Sequence, residues 1–94
     1  MTDSGITKVA VLGTGVLGGQ IAWHSAYKGK QVTAYNRREE SLGKIRAAHD
    51  QLAQIYTQDL GASAEDIAAT RSRLSYVSDL KEAVGDADLV IESL

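Results

Sequence analysis

Apolar positions in this chain alternate between short unbroken runs and longer helical spacings. From Lys8 to Leu12 the run Lys-Val-Ala-Val-Leu is β-branched and continuously apolar after its first residue, the pattern of a strand buried on both faces of a parallel sheet. Gly13 stops it. Residues 20–28 have helical composition, and Gly29 stands where a helix C-terminal glycine belongs. Val32, Thr33, Ala34 and Tyr35 read as a second strand. Strand, glycine turn, helix and strand within about 30 residues make a βαβ unit with a right-handed crossover.

Further on, Leu42, Ile45, His49, Leu52 and Tyr56 recur at spacings of 3, 4, 3 and 4, which predicts one face of a long helix over residues 38–57, broken at Gly61. Ser63 followed by Asp66 has the form of a capping box with the shorter acid. It opens a second helix with Ile67, Thr70 and Leu74 on one side, and the two helices are expected to form an antiparallel hairpin. A short strand over residues 74–77 follows, then a one- or two-turn helix capped by Asp79 and ended by Gly85. Leu89, Val90 and Ile91 form the last strand. No internal repeat, low-complexity tract or linker interrupts this plan.

Composition narrows the classes. Ninety-four residues, 44% hydrophobic and 23% charged, suit one soluble domain and are too few for two. Lys and Arg number 10 against 12 Asp and Glu, so the net charge of -2 argues against a nucleic-acid footprint. No apolar run approaches the roughly 20 residues that cross a bilayer, and the start Met-Thr-Asp-Ser-Gly has no basic-then-apolar signal pattern. Zero cysteines exclude disulfides and thiolate metal sites. A soluble, cytoplasmic protein without a membrane or nucleic-acid partner is expected.

The informative chemistry lies in Gly13-Thr14-Gly15-Val16-Leu17-Gly18-Gly19, a G-x-G-x-x-G directly after a strand and opening a helix. In that context the pattern points to dinucleotide binding; the alternative is a strand-to-helix turn with no ligand. Gly13 permits the tight turn, Gly15 lets the backbone approach a pyrophosphate, and Gly18 lets the helix sit close on the sheet. Backbone N–H groups and the positive end of the helix dipole then hold the phosphates. No lysine follows the glycines, which disfavours a triphosphate loop. Gly18, Ile21, Ala22 and Ser25 share the side expected to face the sheet. Val16, Gln20, Trp23 and Tyr27 share the other, an apolar stripe expected to pack against another segment, subunit or domain.

At the end of the second strand, dinucleotide sites of the NAD type place an acid that bonds the adenosine ribose. Asn36 stands there, followed by Arg37 and Arg38. An amide and two guanidinium groups lean toward the 2′-phosphate of NADP, unless the arginines merely begin a solvated helix beside Glu39 and Glu40; Asn36 can still bond a ribose hydroxyl, so NAD stays open. His24 and His49 have no carboxylate at a spacing that makes a dyad evident and are expected to be structural. Glu92 stands at the carboxyl end of the last strand, where it either approaches a cofactor or caps locally. Asp86 and Asp88 resemble a turn pair, and no metal site is expected.

Three segments, residues 8–22, 32–36 and 74–93, resemble the amino-terminal NAD-binding domain of the 3-hydroxyacyl-CoA dehydrogenase family. The last is the most discriminating: a short strand, Ser-Asp-Leu, a small helix, then Asp-Ala-Asp-Leu-Val-Ile-Glu. The resemblance implies a Rossmann-type α/β fold, here a partial parallel sheet of strand order 3-2-1-4 with an inserted helical hairpin like the helix pair that approaches the CoA portion of the family's substrate. It implies NAD as cofactor, with NADP admitted, bound by Gly13, Thr14, Gly15, Val16, Leu17 and Gly18. Asn36 takes the ribose position, where the family usually has Asp, with Arg37 beside it. The family's catalytic His-Glu pair and its carboxy-terminal helical domain fall beyond residue 94, so residues 1–94 are expected to be an incomplete dinucleotide-binding domain with no catalytic residue of its own. The implied activity is hydride transfer between 3-hydroxyacyl-CoA and 3-oxoacyl-CoA, in a homo-oligomer whose substrate partner is an acyl-CoA. An NADP-dependent hydroxyacid dehydrogenase or reductase and a non-catalytic dinucleotide sensor remain the alternatives. Self-association is expected through the last strand's open edge or the Trp23 and Tyr27 stripe.

Overall fold

The computed structural model describes residues 7–13 and 15–93. Its elements run β1 (Lys8–Leu12), α1 (Val16–Tyr27), β2 (Gln31–Tyr35), α2 (Glu39–Leu60), α3 (Ala64–Ser72), β3 (Leu74–Val77), α4 (Leu80–Val84) and β4 (Leu89–Glu92). The four strands form one sheet in the order β3-β2-β1-β4, all pairs parallel, as the sequence predicts.

Register explains which residues make the core. Val9 lies beside Val32 and Leu89, and Val11 beside Ala34 and Ile91, so these side chains share one face of the sheet. On that face Val9, Val11 and Val32 pack against Ala22 and Ala26 of α1, with Ile21, Leu74 and Ile91 at the margin. Small residues let the helix come close, and Gly18, Gly19 and Ala22 are buried with them. Asp88 ties the sheet at its other end: its carboxylate accepts the Thr7 and Lys8 N–H groups and the Thr7 hydroxyl at 2.9–3.0 Å, and these bonds hold its carboxyl below the usual range. The turn pair of Asp86 and Asp88 thus includes a strut between the starts of β1 and β4.

Helix boundaries depart from the sequence pattern where tertiary contacts outweigh local preference. Helix α1 begins at Val16, four residues before the expected start, and takes Gly18 and Gly19 into its first turns. Glycine is a poor helix former, so burial against the chain, not propensity, holds this turn. Helix α2 continues to Leu60, where Gly61 at φ 69° ends it in the left-handed region. Its buried face is Leu42, Ile45, His49 and Ala53; the seam drifts from Leu52, half-buried, to Ala53.

The two middle helices fold back on each other over three residues, as expected. Ser63 Oγ accepts the Asp66 N–H at 3.0 Å and the Asp66 carboxylate accepts the Ser63 N–H at 2.9 Å, a complete capping box. Thr70 is buried, while Leu74 leaves the helix to begin β3. Asp79 caps α4 by accepting from Lys81 and Glu82, and Gly85 ends it, both as predicted.

The aromatic stripe finds its cover within the chain. Trp23 is fully buried beneath α2, its ring 5.4 Å from His49 and edge-on to Tyr56 at 6.1 Å, and Tyr27 meets Tyr56 edge-on at 4.8 Å. Trp23 Nε1 has no acceptor among the described residues. Val16 and Gln20, the start of the same stripe, stay exposed. At the sheet's margin, Leu89 and Val90 of edge strand β4 are 40% and 43% exposed.

Candidate functional site

The carboxyl ends of β1, β2 and β4 meet at one rim, and the glycine turn is bonded into it. Gly13 adopts φ 92°, a conformation that side-chain-bearing residues rarely take, and donates its N–H to Tyr35 O at 3.0 Å. Ser93 N–H donates to Leu12 O on the other side. The turn is therefore fixed between the ends of its two neighbouring strands. Thr14 lies outside the described residues.

The three glycines of the motif then separate by the space around them. A Cβ on Gly18 would stand 2.6 Å from Gly13 O and 3.1 Å from Ser93 Oγ, so only glycine lets α1 reach the strand ends. A Cβ on Gly15 would meet nothing within 4 Å. Gly15 has φ -71° and ψ -177°, open to any residue, so neither backbone strain nor crowding within the chain requires glycine there. A glycine without an internal reason, at the start of a helix, is what close approach of an external group requires.

Helix α1 has Gly15 at its N-cap position and, among the described residues, no side-chain cap and no acid in its first turn. Its leading N–H groups have no intrahelical partner by geometry. These features fit the pyrophosphate of a dinucleotide: donors with no intrahelical partner, the positive dipole end and open space at the Gly15 Cβ position. Val16 and Leu17, 83% and 63% exposed, flank the turn as apolar surface beside that opening. From there a groove of about 450 Å³ runs onto α2 between Gly15, Gly19, Gln20, Lys44 and Ile55. The sequence placed Val16 and Leu17 at the turn but missed the α2 side of this groove; the two sides lie 24 to 40 positions apart, and only the fold joins them.

Asn36 completes the rim. Its N–H donates to Val77 O at 3.3 Å, and its Oδ1 accepts the Arg38 N–H at 3.0 Å, closing the turn into α2. Arg37 and Arg38 are exposed, and among the described residues no ion pair joins either to an acid. Glu39 carboxylate instead accepts the Ser78 hydroxyl at 3.1 Å. Glu92 ends β4 beside Leu12 at the same rim, exposed.

The histidines are both placed by neighbours away from this rim. His49 is fully buried; its Nε2–H donates to Gly19 O at 2.8 Å and its Nδ1 accepts the Tyr76 hydroxyl at 2.6 Å. Donation to a carbonyl assigns the proton to Nε2, and burial pushes the pKa below the ordinary histidine value. His49 thus ties α2 to the first turns of the glycine helix and to β3. His24 lies in the last turn of α1, with Nδ1 2.7 Å from the Tyr56 hydroxyl. Neither is aimed at the opening by Gly15 as a proton acceptor. Among the described residues no group of three His, Cys, Asp or Glu could hold a metal, and no helix is long and apolar enough to cross a membrane.

Known proteins share this arrangement. Residues 8–94 match the family described as 3-hydroxyacyl-CoA dehydrogenase, NAD binding domain. A diketoreductase structure, described for dual catalysis of dicarbonyl compounds, superposes with a TM-score of 0.90 at 42% identity, covering 98% of this chain and 33% of that one. The 3-hydroxybutyryl-CoA dehydrogenase of Escherichia coli K12 superposes with a TM-score of 0.84 at 33% identity, over 93% of this chain and 18% of its own. The L-carnitine dehydrogenase of Streptomyces griseus is 35% identical over 92 residues, 94% of this chain and 25% of its own. The chain spans a third or less of the length of these relatives.

Proposed function

This chain belongs to the 3-hydroxyacyl-CoA dehydrogenase family as its NAD-binding domain, and we propose that it serves an enzyme interconverting 3-hydroxyacyl-CoA and 3-oxoacyl-CoA. In this reading bound NAD would supply the hydride-transfer chemistry for the substrate's secondary alcohol. The chain's own residues bind and orient it. Gly13 and Gly18 set the turn on the strand ends, Gly15 admits the pyrophosphate, and the first N–H groups of α1 bond it, with Val16 and Leu17 alongside. Asn36 and Arg37 lie at the adenosine end. His24 and His49 are held by Tyr56, Tyr76 and Gly19, so neither is proposed to move the hydroxyl proton.

The single observation that supports this reading is the open space at Gly15 in front of an uncapped helix start. Calorimetric titration of the chain with NADH tests it: saturable binding of one nucleotide per chain is expected, and no heat at millimolar ligand would overturn it.

A second reading concerns the substrate. Identity to the diketoreductase is 42%, against 35% to the L-carnitine dehydrogenase and 33% to the 3-hydroxybutyryl-CoA enzyme, and the diketoreductase match makes a hydroxy substrate without CoA the alternative we keep. We propose a cytoplasmic protein, consistent with the zero cysteine count, that works as a homo-oligomer.

A further inference from the structure

Dinucleotide sites of this kind exclude the 2′-phosphate of NADP by placing a carboxylate at the end of the second strand, where it bonds the ribose and repels added negative charge. In this chain the position is neutral. Asn36 keeps the structural half of the acid's work, since its Oδ1 accepts the Arg38 N–H and holds the turn into α2. It lacks the other half, the charge. The next two residues reverse the sign: Arg37 and Arg38 are exposed at the same rim, and among the described residues no acid pairs with either. The neighbour best placed in sequence to neutralise them, Glu39, has its carboxylate on Ser78 across the gap to β3. Asn36 is tied to the glycine turn through β2, because Tyr35, the residue before it, accepts the Gly13 N–H. A nucleotide whose pyrophosphate sits at Gly15 therefore has its adenosine end at the strand terminus that carries the two guanidinium groups.

We infer that this domain does not discriminate against the 2′-phosphate: Asn36, Arg37 and Arg38 let it bind NADP(H) at least as tightly as NAD(H). The inference rests on the reading of the glycine turn as the pyrophosphate site and adds the phosphate class accepted at the adenosine end. Guanidinium groups pair bidentately with phosphate oxygens, and exposed pairs of this kind weaken with salt.

Calorimetric titration of the full chain with NADH and NADPH, at low salt and at 0.5 M salt, tests it. The expected result is an NADPH dissociation constant no greater than that for NADH at low salt, with NADPH losing more affinity as salt rises. Asn36→Asp retains the oxygen that accepts from Arg38 and should shift the ratio of NADPH to NADH affinity tenfold or more toward NADH. Arg37→Ala with Arg38→Ala should weaken NADPH tenfold while NADH changes less than threefold. Circular dichroism of each variant, unchanged from the parent, assigns the loss to the site. NADH binding tenfold tighter than NADPH in the parent chain would overturn this inference and leave the pyrophosphate reading standing, as would an equal loss of both nucleotides in the arginine variant. Binding of neither nucleotide would overturn both.

Discussion

Two helix starts in this molecule solve the same problem in opposite ways. Every α-helix begins with N–H groups that have no partner within the helix. At α3 the chain supplies the partners itself, Ser63 and Asp66 bonding each other's backbone in a closed box. At α1 it supplies no side-chain cap, placing Gly15 where Ser63 stands in the other helix. The difference does not come from crowding, since a side chain at residue 15 would meet nothing within 4 Å. A cap that costs nothing sterically and is still absent is the observation behind our proposal that these donors serve a group from outside, whereas a complete cap marks an end that only has to be stable.

The largest expected effect on stability breaks the α1 side of the comparison. Gly18→Ala puts a Cβ 2.6 Å from a backbone oxygen that cannot swing away, so the turn or the helix must shift. A loss of about 1–3 kcal/mol is expected despite alanine's better helix propensity, read as a lowered midpoint in urea unfolding. Next comes the support beneath that helix. His49 bonds Gly19 O while neutral, and burial lowers its pKa in the folded state. The unfolded chain therefore binds more protons, and this contribution is fully present above about pH 6.5 and lost as pH falls below it toward the lowered folded value, at no more than about 1.4 kcal/mol per pH unit. Thermal melts at pH 8 and pH 5 should show this loss in the parent, and His49→Gln should flatten it; an unchanged slope would remove His49 from the account. The smallest effect sharpens the α3 side: Ser63→Ala should cost about 1 kcal/mol and leave NADH affinity unchanged within twofold in the same calorimetric titration.

Much of the fold was legible because its signals are local. The runs at Lys8–Leu12 and Leu89–Glu92 are strands by apolar continuity, the Ser63 and Asp66 spacing is a cap by reach, and Gly61 ends α2 by its positive φ. The start of α1 was only partly legible: the motif and the side-chain faces put Val16 and Gly18 on a helix, but Gly18 and Gly19 disfavour helix locally and are drawn into it by contacts with Gly13, Ser93 and Ile45. Nor was the cover over Trp23, which depends on His49 and Tyr56 arriving from α2. At the site, the glycine spacing pointed to the turn, but the distinction between Gly18, needed by the fold, and Gly15, left open, required the positions of neighbouring atoms. The role of Asn36 in closing its own turn was equally invisible, because an amide there reads the same whether it bonds backbone or ribose.

The central claim is that Gly15 is kept for a ligand and not for the fold, and Gly15→Val tests it most directly. NADH titration and thermal unfolding are measured on the same parent and variant samples. The account predicts a loss of NADH affinity of a hundredfold or more, by blocked backbone approach, with an unfolding midpoint close to that of the parent. Equal NADH affinity in parent and variant would contradict it.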